Sequence, residues 1–163
     1  TIGRRQRQMC IRDRPEQLGT GGALWNARES LEDEFMLLWG DDYHPIDYSS
    51  LVKHHREKSS PLTMTVTTEH ECMNLHHEGG RLIQYSKQQE PPPTFNGYEA
   101  GTSIVSKSVV LEHGKDGPWS WENTIYSAMA NEIHVHLDST KFWDMGTPER
   151  LEKLEQFFNE SSL

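Results

Sequence analysis

The amino-acid sequence predicts an α/β domain, and three observations carry that prediction. Helix and strand signals alternate along the first half, the order expected of helices packed on a sheet. Phe35 to Trp39 is an unbroken apolar run closed by Gly40-Asp41-Asp42, the pattern of a strand buried on both faces of a parallel sheet. Thr147 followed by Pro148 and Glu149 is a strong helix start, with an N-cap residue ahead of a proline at the first helical position.

The elements follow in order. Ala23, Leu24, Ala27 and Leu31 place apolar side chains on one helical face, with Thr20 as the predicted N-cap. The Phe35–Trp39 strand comes next. Asp47 and Ser49 precede Leu51, Val52 and His55, a second helix that should end near Ser59-Ser60-Pro61. Leu62 to Thr68 is rich in β-branched residues and reads as a strand. Asn74 to His77, Gly79-Gly80 and Arg81 to Ser86 read as a hairpin closed by the glycine pair. Pro91-Pro92-Pro93 cannot pair in a sheet and reads as a loop. Tyr98 to Val105 is a further strand, Val109 to His113 a short helix, and Ser120 should cap a helix from Trp121 to Asn131. Glu132 to Leu137 alternates as a strand does, and the last helix should run to Phe158.

Composition narrows the function classes. The chain has 163 residues, 34% of them hydrophobic, with 16 basic and 25 acidic residues and a net charge of −9. Its mean hydropathy is −0.78. One domain is the natural reading of that length. An acidic chain does not suit a general nucleic-acid binder, which must neutralise phosphates. No apolar run is long enough to span a bilayer, so no membrane role is expected. Residues 1–14 differ from the rest: Arg4, Arg5, Arg7, Arg12 and Arg14 stand against the single acid Asp13. The run Gln8-Met9-Cys10-Ile11-Arg12-Asp13 is what CAGATGTGTATAAGAGAC encodes, a string resembling the end of a transposase adapter used in sequencing libraries. Residues 1–14 are therefore expected to be a disordered scar, and 15–163 a partial domain. Setting Cys10 aside leaves Cys72 alone, which fits a reducing, cytoplasmic compartment, and Cys72 is expected to be buried and inert.

Three features could carry chemistry. Gly19-Thr20-Gly21-Gly22 at a helix start offers backbone N–H groups to an anion or a nucleobase edge. Asp41 follows a strand at the carboxyl end of the sheet, where open α/β sheets bind ligands, and a carboxylate there suits Mg²⁺; Asp42 is the competing ligand. Asp144, before Met145-Gly146-Thr147-Pro148, lies between a strand-like segment and a helix. Two such carboxylates would suit a metal-assisted reaction at phosphate. The nine histidines, His134 and His136 among them, lack the ligand spacing of a zinc site and are expected at the surface. The five tryptophans are expected in the core and around a pocket.

At this point the sequence resembles a family. Glu16 to Ala23, reading Glu-Gln-Leu-Gly-Thr-Gly-Gly-Ala, is similar to a signature of the sugar-1-phosphate nucleotidyltransferases, which make nucleotide-sugars. Phe35 to Asp41 resembles that family's strand ending in Asn-Gly-Asp, and Ile83 to Lys87 its segment ending in Glu-Lys. Tyr98 to Gly101 resembles its strand bearing an alanine-glycine pair, and Phe142 to Glu149 its closing Asp-Ile-Gly-Thr-Pro-Glu. The five motifs occur in order over nearly all of residues 15–163, and look most like mannose- or heptose-1-phosphate guanylyltransferases. The resemblance implies a Rossmann-like nucleotidyltransferase fold with a mixed sheet. It implies transfer of a nucleotidyl group from a nucleoside triphosphate to a sugar 1-phosphate, with release of pyrophosphate. It further implies that Asp41 and Asp144 hold Mg²⁺ and that Lys87 contacts the sugar phosphate. Leu18, Gly19, Thr20, Gly21 and Gly22 would line the nucleotide, and Glu99 and Gly101 would sit beside the sugar.

The departures are specific. Trp39 stands where the family has Asn, and Ser86 where it often has Glu. The family's opening strand, its Gly-Gly-x-Gly-Thr-Arg-Leu triphosphate loop and the lysine after it do not occur in these 163 residues. The first strands of the sheet are thus expected to be missing, a strand near Phe35–Trp39 to be left uncovered, and the chain as written to be inactive, aggregation-prone or paired with a second copy. The alternative is a non-catalytic sugar-nucleotide binding or regulatory subunit.

Overall fold

A computed structural model of the chain describes residues 17–87 and 91–161. The arginine-rich arm, with Cys10, and Glu16 of the first motif lie outside the described residues. In chain order the elements are α1 (Gly19–Ala27), a short 3₁₀ turn (Arg28–Ser30), β1 (Glu34–Leu38), β2 (Asp42–Tyr43), α2 (Tyr48–Lys58), β3 (Leu62–Thr67), β4 (Leu75–Glu78), β5 (Arg81–Tyr85), β6 (Tyr98–Ser106), α3 (Lys107–His113), a π-helical turn (Glu122–Tyr126), β7 (His134–Leu137), β8 (Trp143–Asp144) and α4 (Pro148–Ser161).

Six strands form one mixed sheet in the order β1-β6-β3-β7-β5-β4, and β2 and β8 form a separate two-residue ribbon. β3 lies at the centre, antiparallel to β6 and parallel to β7. All six of its residues are buried. Its side chains alternate between two cores. Leu62, Met64 and Val66 pack with Val109, Val110, Trp121, Ile125 and Tyr126 on one face. On the other face α2 brings Leu51 against Ile46 and Ile104. There His55 of α2 shares a 2.8 Å hydrogen bond with Thr63, which satisfies both buried polar groups.

The local signals that held are those with a stereochemical cause. Asp47 caps α2, its carboxylate accepting from the N–H groups of Ser49 (2.9 Å) and Ser50 (3.2 Å). Ser59 ends that helix in the left-handed region, with φ of 49°. Gly79 and Gly80 both have positive φ, 57° and 75°, as a tight β4–β5 turn requires. Ser120 accepts from the Asn123 N–H at 3.2 Å, a capping contact at the start of the next helical segment.

Four expectations are corrected. Helix α1 begins at Gly19 behind Leu18, so Thr20 lies in its first turn and is not its N-cap. β1 is antiparallel to β6 and sits at an end of the sheet, with Phe35 to Leu37 only half-buried and Leu38 51% exposed. An apolar run reports burial, not strand direction, and Phe35 and Leu37 gain theirs from the large core on one side. The expected Trp121–Asn131 helix is present but shorter, running over 121–128 with a π-helical turn at Glu122–Tyr126, and Asn131 beyond it takes a φ of 72°. Finally, His44, His55 and His134 are buried, not at the surface. Among the described residues, no helix is long and apolar enough to cross a membrane.

The cap on α2 gives the first test. Asp47→Ala is expected to lower the free energy of unfolding in urea by about 1 kcal/mol, while Asp47→Asn should lose much less, since an amide oxygen still accepts both N–H bonds. Equal losses in the two variants would contradict the cap.

Candidate functional site

One cavity of about 450 Å³ opens between the ends of β1, β5, β6 and β8. Asp41, Asp42 and Asp144 lie on its wall together with Trp39, Asn74, Tyr85, Lys87, Tyr98, Glu99, Glu122 and Thr20. The sequence-predicted residues Asp41, Asp144, Lys87, Glu99 and Thr20 thus meet at one place, although they come from five separate stretches of chain.

The aspartates meet because of the β2–β8 ribbon. Its register sets Asp42 directly opposite Asp144, and the Met145 N–H donates to the Asp41 carbonyl at 2.7 Å. A Cβ built on Gly146 would lie 3.0 Å from Asp144 Oδ1 and 3.6 Å from Asp41 Oδ2. Those two oxygens are therefore at most about 6.6 Å apart, the sum of the two distances, which sets both carboxylates beside one glycine. Asp144 is held in place by the Gly146 N–H at 2.7 Å and by the Arg150 guanidinium.

Like charges at this spacing disturb one another. Burial first, and then the Asp41 and Asp144 carboxylates, push the Asp42 carboxyl up to about 7. Gly101 makes this approach possible: its φ is +72°, and a Cβ there would meet Asp42 Oδ2 at 2.2 Å. The glycine admits a side chain of the protein itself, and it does not line the cavity, which corrects its expected place beside the sugar. Glu99, two residues earlier, is buried. Its carboxylate accepts from the Trp39 indole N–H at 3.2 and 3.3 Å and from the Gly101 N–H at 3.0 Å. Burial and then Asp42 still push it up to about 8.

Lys87, just beyond the end of β5, lines the same cavity. Its ammonium donates to Glu122 Oε1 at 2.5 Å. The other oxygen, Oε2, accepts from the Thr20 hydroxyl at 2.6 Å and the Ser120 hydroxyl at 3.0 Å. Burial alone would raise the Glu122 carboxyl, but the hydrogen bonds from Lys87 and Thr20 outweigh it and hold it below the usual glutamate range. Sequence reasoning missed Glu122. Its only local signal was its position two residues after a capping serine.

The glycine-rich start of α1 is used differently from the expectation. The N–H groups of Gly21 and Gly22 donate to the Trp119 carbonyl at 3.0 and 3.4 Å. A Cβ on Gly21 would fall 2.1 Å from the Trp119 ring, and one on Gly22 2.4 Å from the Gly117 carbonyl oxygen. These two glycines let α1 seat against the Gly117–Trp119 segment, and their amides are not open to an anion. Of Leu18, Gly19, Thr20, Gly21 and Gly22, only Thr20 lines the cavity. Cys72 also lines it and is exposed, not buried as expected.

Asp42 makes the site visible in stability. Its proton is held more tightly in the native chain, about 7 against 3.8, so ionising it opposes folding as pH rises from about 4 to 7. Asp42→Asn removes that penalty. The variant is expected to match the parent chain near pH 4 and to exceed it in urea unfolding at pH 8 by on the order of 1–2 kcal/mol, allowing for solvent around a half-buried group. A difference that does not change with pH would contradict the crowding.

No protein-family profile matches the chain. Over 99 residues, 58% of the chain, it is 29% identical to a protein of Sulfolobus acidocaldarius assigned as a mannose-1-phosphate guanyltransferase. The match spans 27% of that relative's length. HddC from Yersinia pseudotuberculosis, complexed with GMP-PN, superposes with a TM-score of 0.72 at 23% identity, over 88% of this chain and 64% of that one. A Bacillus anthracis protein assigned as a glucose-1-phosphate thymidylyltransferase, in complex with a sucrose, also gives 0.72, at 14% identity over 87% and 62% of the two chains. The chain has the nucleotidyltransferase fold, and its likeness in sequence and structure is to the sugar-phosphate nucleotidyltransferases.

Proposed function

We propose that this chain forms the metal and sugar-phosphate side of an enzyme that transfers a nucleotidyl group from a nucleoside triphosphate to a sugar 1-phosphate. The observation that carries the reading is that the Asp41 and Asp144 carboxylates and the Lys87 ammonium line one cavity. That arrangement offers one place for a cation and one for an anion, as a reaction between two phosphate groups needs. The likeness to a mannose-1-phosphate guanyltransferase favours a guanine nucleotide and a mannose or heptose 1-phosphate.

In this reading an oxygen of the sugar 1-phosphate attacks the α-phosphorus of the triphosphate. The bond from that phosphorus to the bridging oxygen breaks, and pyrophosphate leaves. The protein's contribution is placement and charge. Lys87 holds the sugar phosphate as a point charge. Glu99, fixed by Trp39 and Gly101, lines the cavity and would hydrogen-bond sugar hydroxyls. Thr20 marks the side on which the nucleotide lies.

The acidic residues fit a hard divalent cation. Among the described residues no group of three His, Cys, Asp or Glu side chains is arranged to hold a metal by itself. Mg²⁺ does not need one: it binds through one or two carboxylates and completes its shell with substrate phosphates and water. Asp41 and Asp144 would hold it, and when bound it would neutralise charge on the phosphate oxygens. Small phosphorylated substrates of this kind suit a cytoplasmic setting.

Calorimetry with mannose 1-phosphate tests the reading directly. Binding is expected to tighten at least about tenfold when Mg²⁺ is added, and Asp41→Asn or Asp144→Asn should abolish that gain. In a chain that also carries a triphosphate loop, Asp41→Asn should cut pyrophosphate release by about a hundredfold or more without loss of fold. Binding unaffected by Mg²⁺, or normal turnover in that variant, would set the assignment aside.

A further inference from the structure

Lys87 sits at the end of a strand, with 53% of its side chain exposed, and a four-carbon stem at such a site samples many rotamers. Here it is fixed from below. Glu122 is buried, and its two oxygens are divided between partners: Oε1 takes the Lys87 ammonium at 2.5 Å, and Oε2 takes the hydroxyls of Thr20 at 2.6 Å and Ser120 at 3.0 Å. Thr20 is fixed in turn, its hydroxyl oxygen accepting from the Trp121 N–H at 2.9 Å. The π-helical turn over Glu122–Tyr126 aims this carboxylate at the cavity, a use to which such turns are often put at functional sites.

Resting on the sugar-phosphate reading above, we propose that Glu122 is the positioning residue of the site. It anchors one N–H of the Lys87 ammonium so that the other two face the cavity for the phosphate of the sugar substrate. An ammonium has three donors and no acceptor, so one bond to Glu122 leaves two for the ligand. The hydroxyls of Thr20 and Ser120 hold the carboxylate in place, and Glu122 itself need not touch substrate. The arrangement also joins the first turn of α1, on the nucleotide side, to the lysine on the sugar side through a single side chain.

A double-mutant cycle on the 163-residue chain tests this, with mannose 1-phosphate and Mg²⁺ as the probe. Lys87→Ala and Glu122→Gln should each weaken binding by about tenfold, and the double variant should bind no worse than Lys87→Ala alone, because Glu122 acts only through the lysine. Effects that multiply, or Glu122→Gln binding as tightly as the parent chain, overturn the proposal. The Lys87 ammonium gives a readout without ligand: its ¹H–¹⁵N signal should be seen in the parent chain and vanish in Glu122→Gln, and a signal unchanged in that variant also overturns it. If Glu122→Gln does not fold, Thr20→Val takes its place. It withdraws one donor from the same carboxylate and should weaken binding about threefold, with no effect once Lys87 is alanine. A parent chain that shows the lysine signal yet binds no mannose 1-phosphate would remove the functional reading on which the proposal rests, whereas multiplying effects would remove the positioning role alone.

Discussion

Like charges held close together are the constraint on which this site depends. The β2–β8 ribbon sets Asp42 opposite Asp144, Asp41 adjoins them, and Glu99 lies just beneath. Like charges directly opposite in a ladder destabilise it. The protein relieves part of the repulsion by pairing Asp144 with Arg150, and part by pushing the Asp42 and Glu99 carboxyls up towards neutrality. What remains is a negative wall that a cation would complete. A fold selected for stability alone would have no reason to bring these groups together, and the arrangement reads as stability given up for binding.

The long strand β6 organises the rest. It pairs with β1 on one side and β3 on the other, so Trp39, just past β1, donates to the Gly101 carbonyl at 2.9 Å and to the Glu99 side chain. Gly101 then opens the space that Asp42 fills. Trp39 therefore has a definite task where the related motif carries Asn: its indole both closes the cavity wall and fixes the buried carboxylate. Lys87 and Glu122, with the Thr20 hydroxyl, form a second group on the wall of the same cavity. The two sets line one cavity, one suited to a cation and the other to a phosphate.

Much of this was legible in the sequence where a residue has a local stereochemical reason. The capping Asp47, the Gly79-Gly80 turn and the Thr147-Pro148 helix start each specify their element within four residues. Asp41 and Asp144 could be singled out because each carboxylate follows or closes a strand-like segment, although the ribbon that brings them together was not visible. What was not legible depends on partners far apart in the chain. Glu122 meets Thr20 across 102 residues and Lys87 across 35, and no local pattern announces either contact. The Gly21-Gly22 pair looked like an anion nest, but its amides turn to the Trp119 carbonyl, a partner nearly a hundred residues away. The direction of β1 was lost for a similar reason: an apolar run does not say which strand it pairs with.

The most direct test of the account is the distance from metal to substrate phosphorus. With Mn²⁺ in place of Mg²⁺, the ³¹P relaxation of mannose 1-phosphate bound to the chain reports how near the two lie. If Asp41 and Asp144 hold the cation and Lys87 holds the phosphate in the same cavity, relaxation should be strongly enhanced in the parent chain and fall to the free-ligand value in Asp41→Asn and in Lys87→Ala. Enhancement that survives both substitutions would mean that metal and phosphate meet elsewhere, and would contradict the site described here.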